Sequence, residues 1–162
     1  MKYEERQEFS QPWETVKQMF SDPGYFEKKA KILQRRDVKV LEHEQKGEHF
    51  RIRFSFDETP TIELPSFAQR FAGKSAHVIE QDSWNLKTRT GKLSFELQGL
   101  PVKLSADMKV LDTDEGCVNV LSWNVSCSVP LIGGKFEKLI AQDIQFKAAA
   151  DLAASRALLK KY

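Results

Sequence analysis

Apolar residues recur along this chain with two different periods, and the switches between them mark out its elements. Lys2 to Phe9 is polar and reads as an edge strand, closed by Ser10-Gln11-Pro12. Ser10 or Gln11 can cap a helix there, and Pro12 suits a helix's first turn. Trp13, Val16 and Phe20 follow at helical spacing until Asp22-Pro23-Gly24 breaks the run, and a second short helix is predicted from Tyr25 to about Leu33. The period then falls to two. Phe50, Ile52, Phe54 and Phe56 alternate with Arg51, Arg53 and Ser55, so His49–Asp57 is a strand with one buried face, paired to Val38–Glu44 through a hairpin around Lys46-Gly47. A two-residue loop there sets Glu42 opposite Arg51 and Glu44 opposite His49, with His43 inward beside Phe50.

Thr59 to Ser75, with Pro60, Pro65 and Gly73, interrupts the strand series. Leu64, Phe67 and Phe71 predict a short packed helix there, a flap over the sheet. Four further strands are predicted, about Ala76–Leu86, Lys92–Gln98, Val102–Leu111 and Cys117–Val129. Pro130 stops the last, Gly133-Gly134 turns the chain, and Lys135–Lys161, free of Pro and Gly, gives a helix of roughly 40 Å. The expected fold is α+β: a seven-stranded curved antiparallel sheet wrapping a long C-terminal helix, with two short helices after strand one.

This order resembles the START-like, or Bet v 1-like, helix-grip superfamily (SRPBCC; polyketide cyclases and lipid-transfer proteins). More narrowly, Leu64-Pro65, the strand of Trp84, Gly99-Leu100-Pro101 and Val129-Pro130-Leu131-Ile132-Gly133-Gly134-Lys135-Phe136-Glu137 resemble an uncharacterised bacterial family within it. The resemblance covers nearly the whole chain and implies an apolar cavity between sheet and long helix. Members bind lipids, sterols or hormones, cyclise polyketides, or bind chaperones. No catalytic motif of the enzymatic members is visible, so the resemblance carries over the fold and the cavity position and no active-site residue.

Composition narrows the field. The 162 residues fit one domain, 1–162, and 41% hydrophobic with 30% charged residues is an ordinary globular balance. Lys plus Arg number 25 against 23 Asp plus Glu, and the net charge of +2 gives no field calling for nucleic acid. The first residues lack a secretory leader and no apolar run is long enough for a membrane span, so the default location is cytoplasmic. Cys117 and Cys127 fall on one strand roughly 33 Å apart and are not expected to pair. His43, His49 and His77 have no metal spacing, and Asp112-Thr113-Asp114-Glu115-Gly116 lacks the later glutamate of a calcium loop, so no metal or cofactor is called for. The oligomeric state is not readable.

Candidate chemistry sits in three places. On the long helix two apolar rows, Leu139, Phe146, Ala150, Ala153, Ala157 and Ile140, Ile144, Ala148, Leu152, flank Asp143, Lys147 and Asp151. That charged ladder is either a polar cavity lining or a self-neutralising row of ion pairs, and the row is preferred. Lys138, Gln142, Gln145, Arg156 and Lys160 form the outer face and need only water. On the strand of Trp84, the parity that buries Val78, Trp84 and Leu86 also buries Glu80 and Asp82. Because two inward carboxylates are costly, a bulge or reversed parity with Ile79 inward is preferred. Lys28, Lys29, Lys31, Arg35 and Arg36 concentrate positive charge, read as a solvated face that leaves open a transient membrane-surface contact.

The favoured function is intracellular binding or carriage of a hydrophobic small molecule or lipid, with Phe54, Trp84, Met108, Trp123, Phe136, Ile140, Asp143 and Lys147 as candidate lining. The alternatives are a cavity enzyme, cyclase- or hydratase-like, using Glu80, Asp82 or Asp143 for proton transfer, and a protein-interaction module with a filled core.

Overall fold

A computed structural model of the chain describes residues 1–66, 69–70 and 75–162. Phe67 and Phe71 of the expected flap helix lie outside the described residues. In chain order the elements are β1 (Lys2–Phe9), α1 (Trp13–Phe20), α2 (Pro23–Ile32), β2 (Arg36–Lys46), β3 (His49–Glu58), β4 (Ala76–Asn85), β5 (Thr90–Leu97), β6 (Val102–Asp112), β7 (Cys117–Cys127) and α3 (Gly133–Leu159). Seven strands form one curved antiparallel sheet in the order β1-β7-β6-β5-β4-β3-β2, so the N-terminal strand closes one edge beside the last strand. The helix-grip layout expected from the sequence is the one observed.

Local chemistry explains the helix starts. Asp22 Oδ1 accepts the Gly24 amide at 2.9 Å and Pro23 occupies the first turn of α2, its missing N–H costing nothing there. At α1 the expected side-chain cap is absent: Pro12 stands at the N-cap and only its carbonyl takes part. Helix α1 buries Trp13, Val16, Met19 and Phe20, and α2 buries Tyr25, Phe26, Lys29 and Ala30.

The β2–β3 register corrects the expected one by two residues. Glu44 lies opposite Arg51 and Lys46 opposite His49, because the loop is Gly47-Glu48, with Gly47 taking a left-handed φ of 57° that suits glycine. An even displacement leaves Glu42 to Lys46 on their own faces, while register shifts between Arg36 and Lys39 and between Val40 and Glu42 alter the pairing earlier in β2. Phe50, Ile52, Phe54 and Phe56 are therefore buried as predicted, and Arg51 still reaches Glu42 at 2.8 Å. The His43 ring lies 5.5 Å from that of Phe50, tilted by 55°, but His43 stays exposed, since β2 is an edge strand.

The long helix packs on β7, α2 and α1. Its inward stripe is Phe136, Ile140, Ala141, Ala154, Ser155 and Leu158, with Asp143, Ile144, Lys147, Ala148 and Asp151 half-buried between them. The expected first apolar row is corrected: Leu139 is half-buried, but Phe146 is 75% exposed and Ala150, Ala153 and Ala157 face outward. Alanine loses little by exposure, so the Ile140–Ile144–Ala148 side and the bulkier Phe136 and Leu158 decide the orientation. The outer face is not wholly left to water either, since Arg156 donates to the Glu8 carbonyl from Nε at 3.0 Å and from Nη2 at 2.7 Å.

Candidate functional site

Between the sheet and α3 the interior divides. Beneath α1 and α2 it is filled by rings: Phe20 stacks on Trp84 at 5.1 Å, Trp13 lies 5.8 Å from Trp84, and Phe26 lies 5.9 Å from Phe50 and 5.7 Å from Phe54. Gly91 permits the Trp84 position, because a Cβ there would sit 2.8 Å from the indole. Towards the middle of α3 the filling stops and a cavity of about 150 Å³ remains. Water needs about 10–15 Å³ of such space, so there is room for a small organic molecule.

Six of the eight residues read from sequence as lining, Trp84, Met108, Trp123, Ile140, Asp143 and Lys147, are on this cavity's wall. Phe54 and Phe136 are not: each is 1% exposed and buried in the packed interior. Both point inward as their periods require, but towards regions already filled. Trp123 is fixed by its Nε1 donating to Glu5 Oε2 at 2.9 Å and by stacking with Tyr3 and Phe95, both at 6.1 Å.

The charged side of the wall is an alternating chain of ion pairs. Lys147 Nζ sits 2.8 Å from Asp143 Oδ2 and 3.1 Å from Glu58 Oε1, and Glu58 Oε2 lies 3.7 Å from Arg35 Nε. Arg35 Nη1 in turn meets Glu80 Oε2 at 3.1 Å while its guanidinium covers the Phe56 ring at 4.1 Å. Beside this chain, Lys29 Nζ pairs with Asp151 Oδ1 at 3.1 Å. Burial works against the Lys29 charge, but Asp151, Tyr25 and Glu80 outweigh it and hold the lysine pKa above its ordinary value. The Tyr25 hydroxyl, its own pKa pushed up by burial, bonds Ser155 Oγ at 2.7 Å. Asp143 also accepts from the Thr61 amide at 3.2 Å and from the Thr61 hydroxyl. The ladder on α3 is thus both a lining and a row of ion pairs, and its partners come from β3 and α2 as well as from the helix.

Glu80 and Asp82 overturn the preference for reversed parity. Both face inward, 3% and 7% exposed, and Ile79 is only half-buried. The regular pairing of β4 with β3 and β5 contains no bulge that would turn them out. Arg35 compensates Glu80. Asp82 lies between Ile52 on β3 and Leu93 on β5, and among the described residues no cation pairs with it. Burial first, and the neighbouring Glu80 second, push its carboxyl well above the usual carboxylate range, with Glu80 as its hydrogen-bond partner.

The basic run was read as solvated, and for Lys29 and Arg35 that is corrected: their side chains are 11% and 12% exposed. The signal for Lys29 is its place on the Tyr25–Phe26–Ala30 face of α2; Arg35 follows the helix and no periodicity marks it. Also unforeseen is Asn119 on β7, 2% exposed and on the cavity wall, whose Nδ2 reaches Gln7 Oε1 at 3.4 Å while its Oδ1 has no partner among the described residues.

Among families, the model described as protein of unknown function (DUF2505) matches residues 4–157. No curated protein matches the chain. Solved structures similar to it include Ara h 8.0201, at 14% identity and TM-score 0.65, covering 100% of this chain and 99% of that one. TTHA0849 from Thermus thermophilus is 17% identical with TM-score 0.63, over 99% and 97% of the two chains. The ZhuI aromatase/cyclase from a Streptomyces species is 14% identical with TM-score 0.63, over 99% and 94%. At these identities the likeness is one of fold.

Proposed function

This chain belongs to the DUF2505 family of proteins of unknown function, and we propose that it binds a small, largely apolar molecule in the cavity between its sheet and α3. The observation that carries this reading is the unfilled space itself. A protein interior normally packs to near-crystalline density, and here about 150 Å³ stays open behind walls of Trp84, Leu93, Leu104, Met108, Trp123 and Ile140. Apolar walls with a few convergent polar groups are the usual makeup of a ligand pocket. The space is on the order of ten water molecules, which favours a compact guest over a long acyl chain.

Native mass spectrometry of the purified protein tests for a retained guest, and displacement of a fluorescent fatty-acid analogue tests for competition. Ala148→Trp, on the cavity wall from α3, is expected to fill the space and abolish binding. Undiminished binding in that variant would place the guest elsewhere and end the reading. A second reading, proton transfer to or from the guest, is favoured by one observation, the raised Asp82 carboxyl on the same wall. Its measurable sign is turnover of a bound compound that stops in Asp82→Asn.

A further inference from the structure

The charges around the cavity do not balance. Its described wall carries six carboxyl groups, Glu5, Glu58, Glu80, Asp82, Asp143 and Asp151, against three cations, Lys29, Arg35 and Lys147. Each cation is already engaged: Lys147 with Asp143 and Glu58, Arg35 with Glu58 and Glu80, Lys29 with Asp151. The alternating chain Asp143–Lys147–Glu58–Arg35–Glu80 therefore runs on to Asp82 without the cation that its alternation calls for next. A second observation lies on another strand. Asn119 Oδ1, on a residue only 2% exposed, is a hydrogen-bond acceptor on the same wall with no partner among the described residues. Asn119 Oδ1 can only accept, and Asp82 becomes an acceptor once its carboxyl gives up its proton.

We infer that the guest of this cavity is a compact apolar amine, whose ammonium group takes the vacant place in the ion-pair chain beside Asp82 and Glu80. The inference rests on the cavity being a binding site, as proposed above. Two hydrogen-bonded carboxyls need one proton between them. When an ammonium ion enters, the Asp82 O–H bond breaks, its proton leaves to solvent, and the carboxylate left behind pairs with R–NH3⁺, so the charge of the site is unchanged and one proton appears in the buffer. The groups facing Asp82 are Glu80 on β4, Lys29 on α2 and Asp151 on α3. Ile52 and Leu93, flanking it on β3 and β5, carry no charge, and the one cation whose field reaches it, Lys29, is itself paired with Asp151. The rings of Phe20, Phe26, Trp84 and Trp123 on the wall suit an aromatic or branched body. A hydroxyl or second N–H on that body would satisfy Asn119.

Titration calorimetry with 2-phenylethylamine and its neutral counterpart 2-phenylethanol, near neutral pH and in buffers of different ionisation enthalpy, tests this. A charge-assisted hydrogen bond exceeds a neutral one by enough for the amine to bind about tenfold tighter. The buffer dependence should show about one proton released per amine bound, and none for the alcohol. Asp82→Asn, close in shape, should remove the preference and the proton release, so that the amine binds no tighter than the alcohol. The proton count on the unaltered protein needs no variant and stands even if Asp82→Asn folds poorly. Equal affinities, or amine binding without proton release, would overturn the inference and leave the cavity reading intact. Failure of both compounds to bind overturns the inference, and the cavity reading falls with it if the fluorescent fatty-acid analogue is not bound either.

Discussion

The two ends of the interior are built from the same strands and yet obey different rules. Under α1 and α2 the inward positions of β3 carry Phe50, Ile52, Phe54 and Phe56, all at most 1% exposed. One strand over, the inward positions of β4 read Val78, Glu80, Asp82 and Trp84, and the carboxyls face the cavity. Glu80 is directly opposite Phe54, and Asp82 directly opposite Ile52. A single antiparallel pair thus separates a dry aromatic wall from a charged one. Alternation tells which side chains point in; whether the space they point into is filled depends on what the helices bring to meet them.

The largest expected effect exploits that contrast. Phe54 touches Phe26 and Phe56, at 5.7 and 5.8 Å between ring centres, and Phe54→Ala should cost about 3–5 kcal/mol in denaturant unfolding. Leu93→Ala, on the cavity wall, should lie near the low end of the roughly 2–5 kcal/mol range for such truncations, because one side of Leu93 already lacks neighbours. Equal losses would mean that the cavity end is packed as tightly as the other.

The same contrast explains what was readable beforehand. The order of elements along the chain and the aromatic row of β3 follow from periodicity, and the extent of α3 from its lack of Pro and Gly, to within two residues at each end, with Gly133-Gly134 opening the helix instead of turning the chain before it; these signals are local. The parity of Glu80 and Asp82 was also local and correct; what misled was the cost of burying them. That cost is offset by Arg35, whose ion pair with Glu80 joins residues 45 positions apart and leaves no trace in any window of sequence. On α3 the ladder was legible as part of the inward face, and it lines the cavity; what was not legible is that Phe146, Ala150, Ala153 and Ala157 face outward, because the pairing of the ladder with Glu58 and Lys29 sets the helix towards its other row. Lys29 could have been found, since its spacing from Tyr25 and Phe26 puts it on the buried face of α2. Asn119, whose Oδ1 lacks a partner among the described residues, could not, as Val118, Val120 and Leu121 around it read as an ordinary strand.

A smaller, pH-dependent effect is expected at Asp82. Its carboxyl is raised in the folded protein, by burial and then by Glu80, whereas an unfolded aspartate titrates near about 3.9. Between those two values the folded state holds a proton that the unfolded state has lost, so stability falls as pH rises through the window, and the contribution is fully present only below it. Asn cannot lose that proton. Asp82→Asn should therefore flatten the dependence of unfolding free energy on pH from about 4 upward, differing least from the unaltered protein at the acid end and gaining on it towards neutrality. Parallel profiles for the two proteins would show that Asp82 ionises in the folded state much as it does in water.

The smallest effect separates lining from scaffolding on α3. Lys147 is 30% exposed on its side chain and sits between Asp143 and Glu58, so solvent screens much of its attraction and Lys147→Met should cost about 1 kcal/mol or less. Lys138, on the exposed outer face, should change stability by no more than about 0.5 kcal/mol as Lys138→Met. The two variants differ where binding is concerned. Lys147→Met removes one of three cations from a wall of six carboxyls, so it should tighten 2-phenylethylamine and leave 2-phenylethanol nearly unaffected, while Lys138→Met alters neither. Calorimetry on the pair measures this directly. If Lys147→Met unfolds the protein as severely as Phe54→Ala, the ladder is part of the packed scaffold and the two ends of the interior are less different than their side chains suggest. If it is tolerated but both lysine variants bind the amine alike, the charge of Lys147 is spent entirely on Asp143 and Glu58, and the ion-pair chain ends its influence before it reaches the guest.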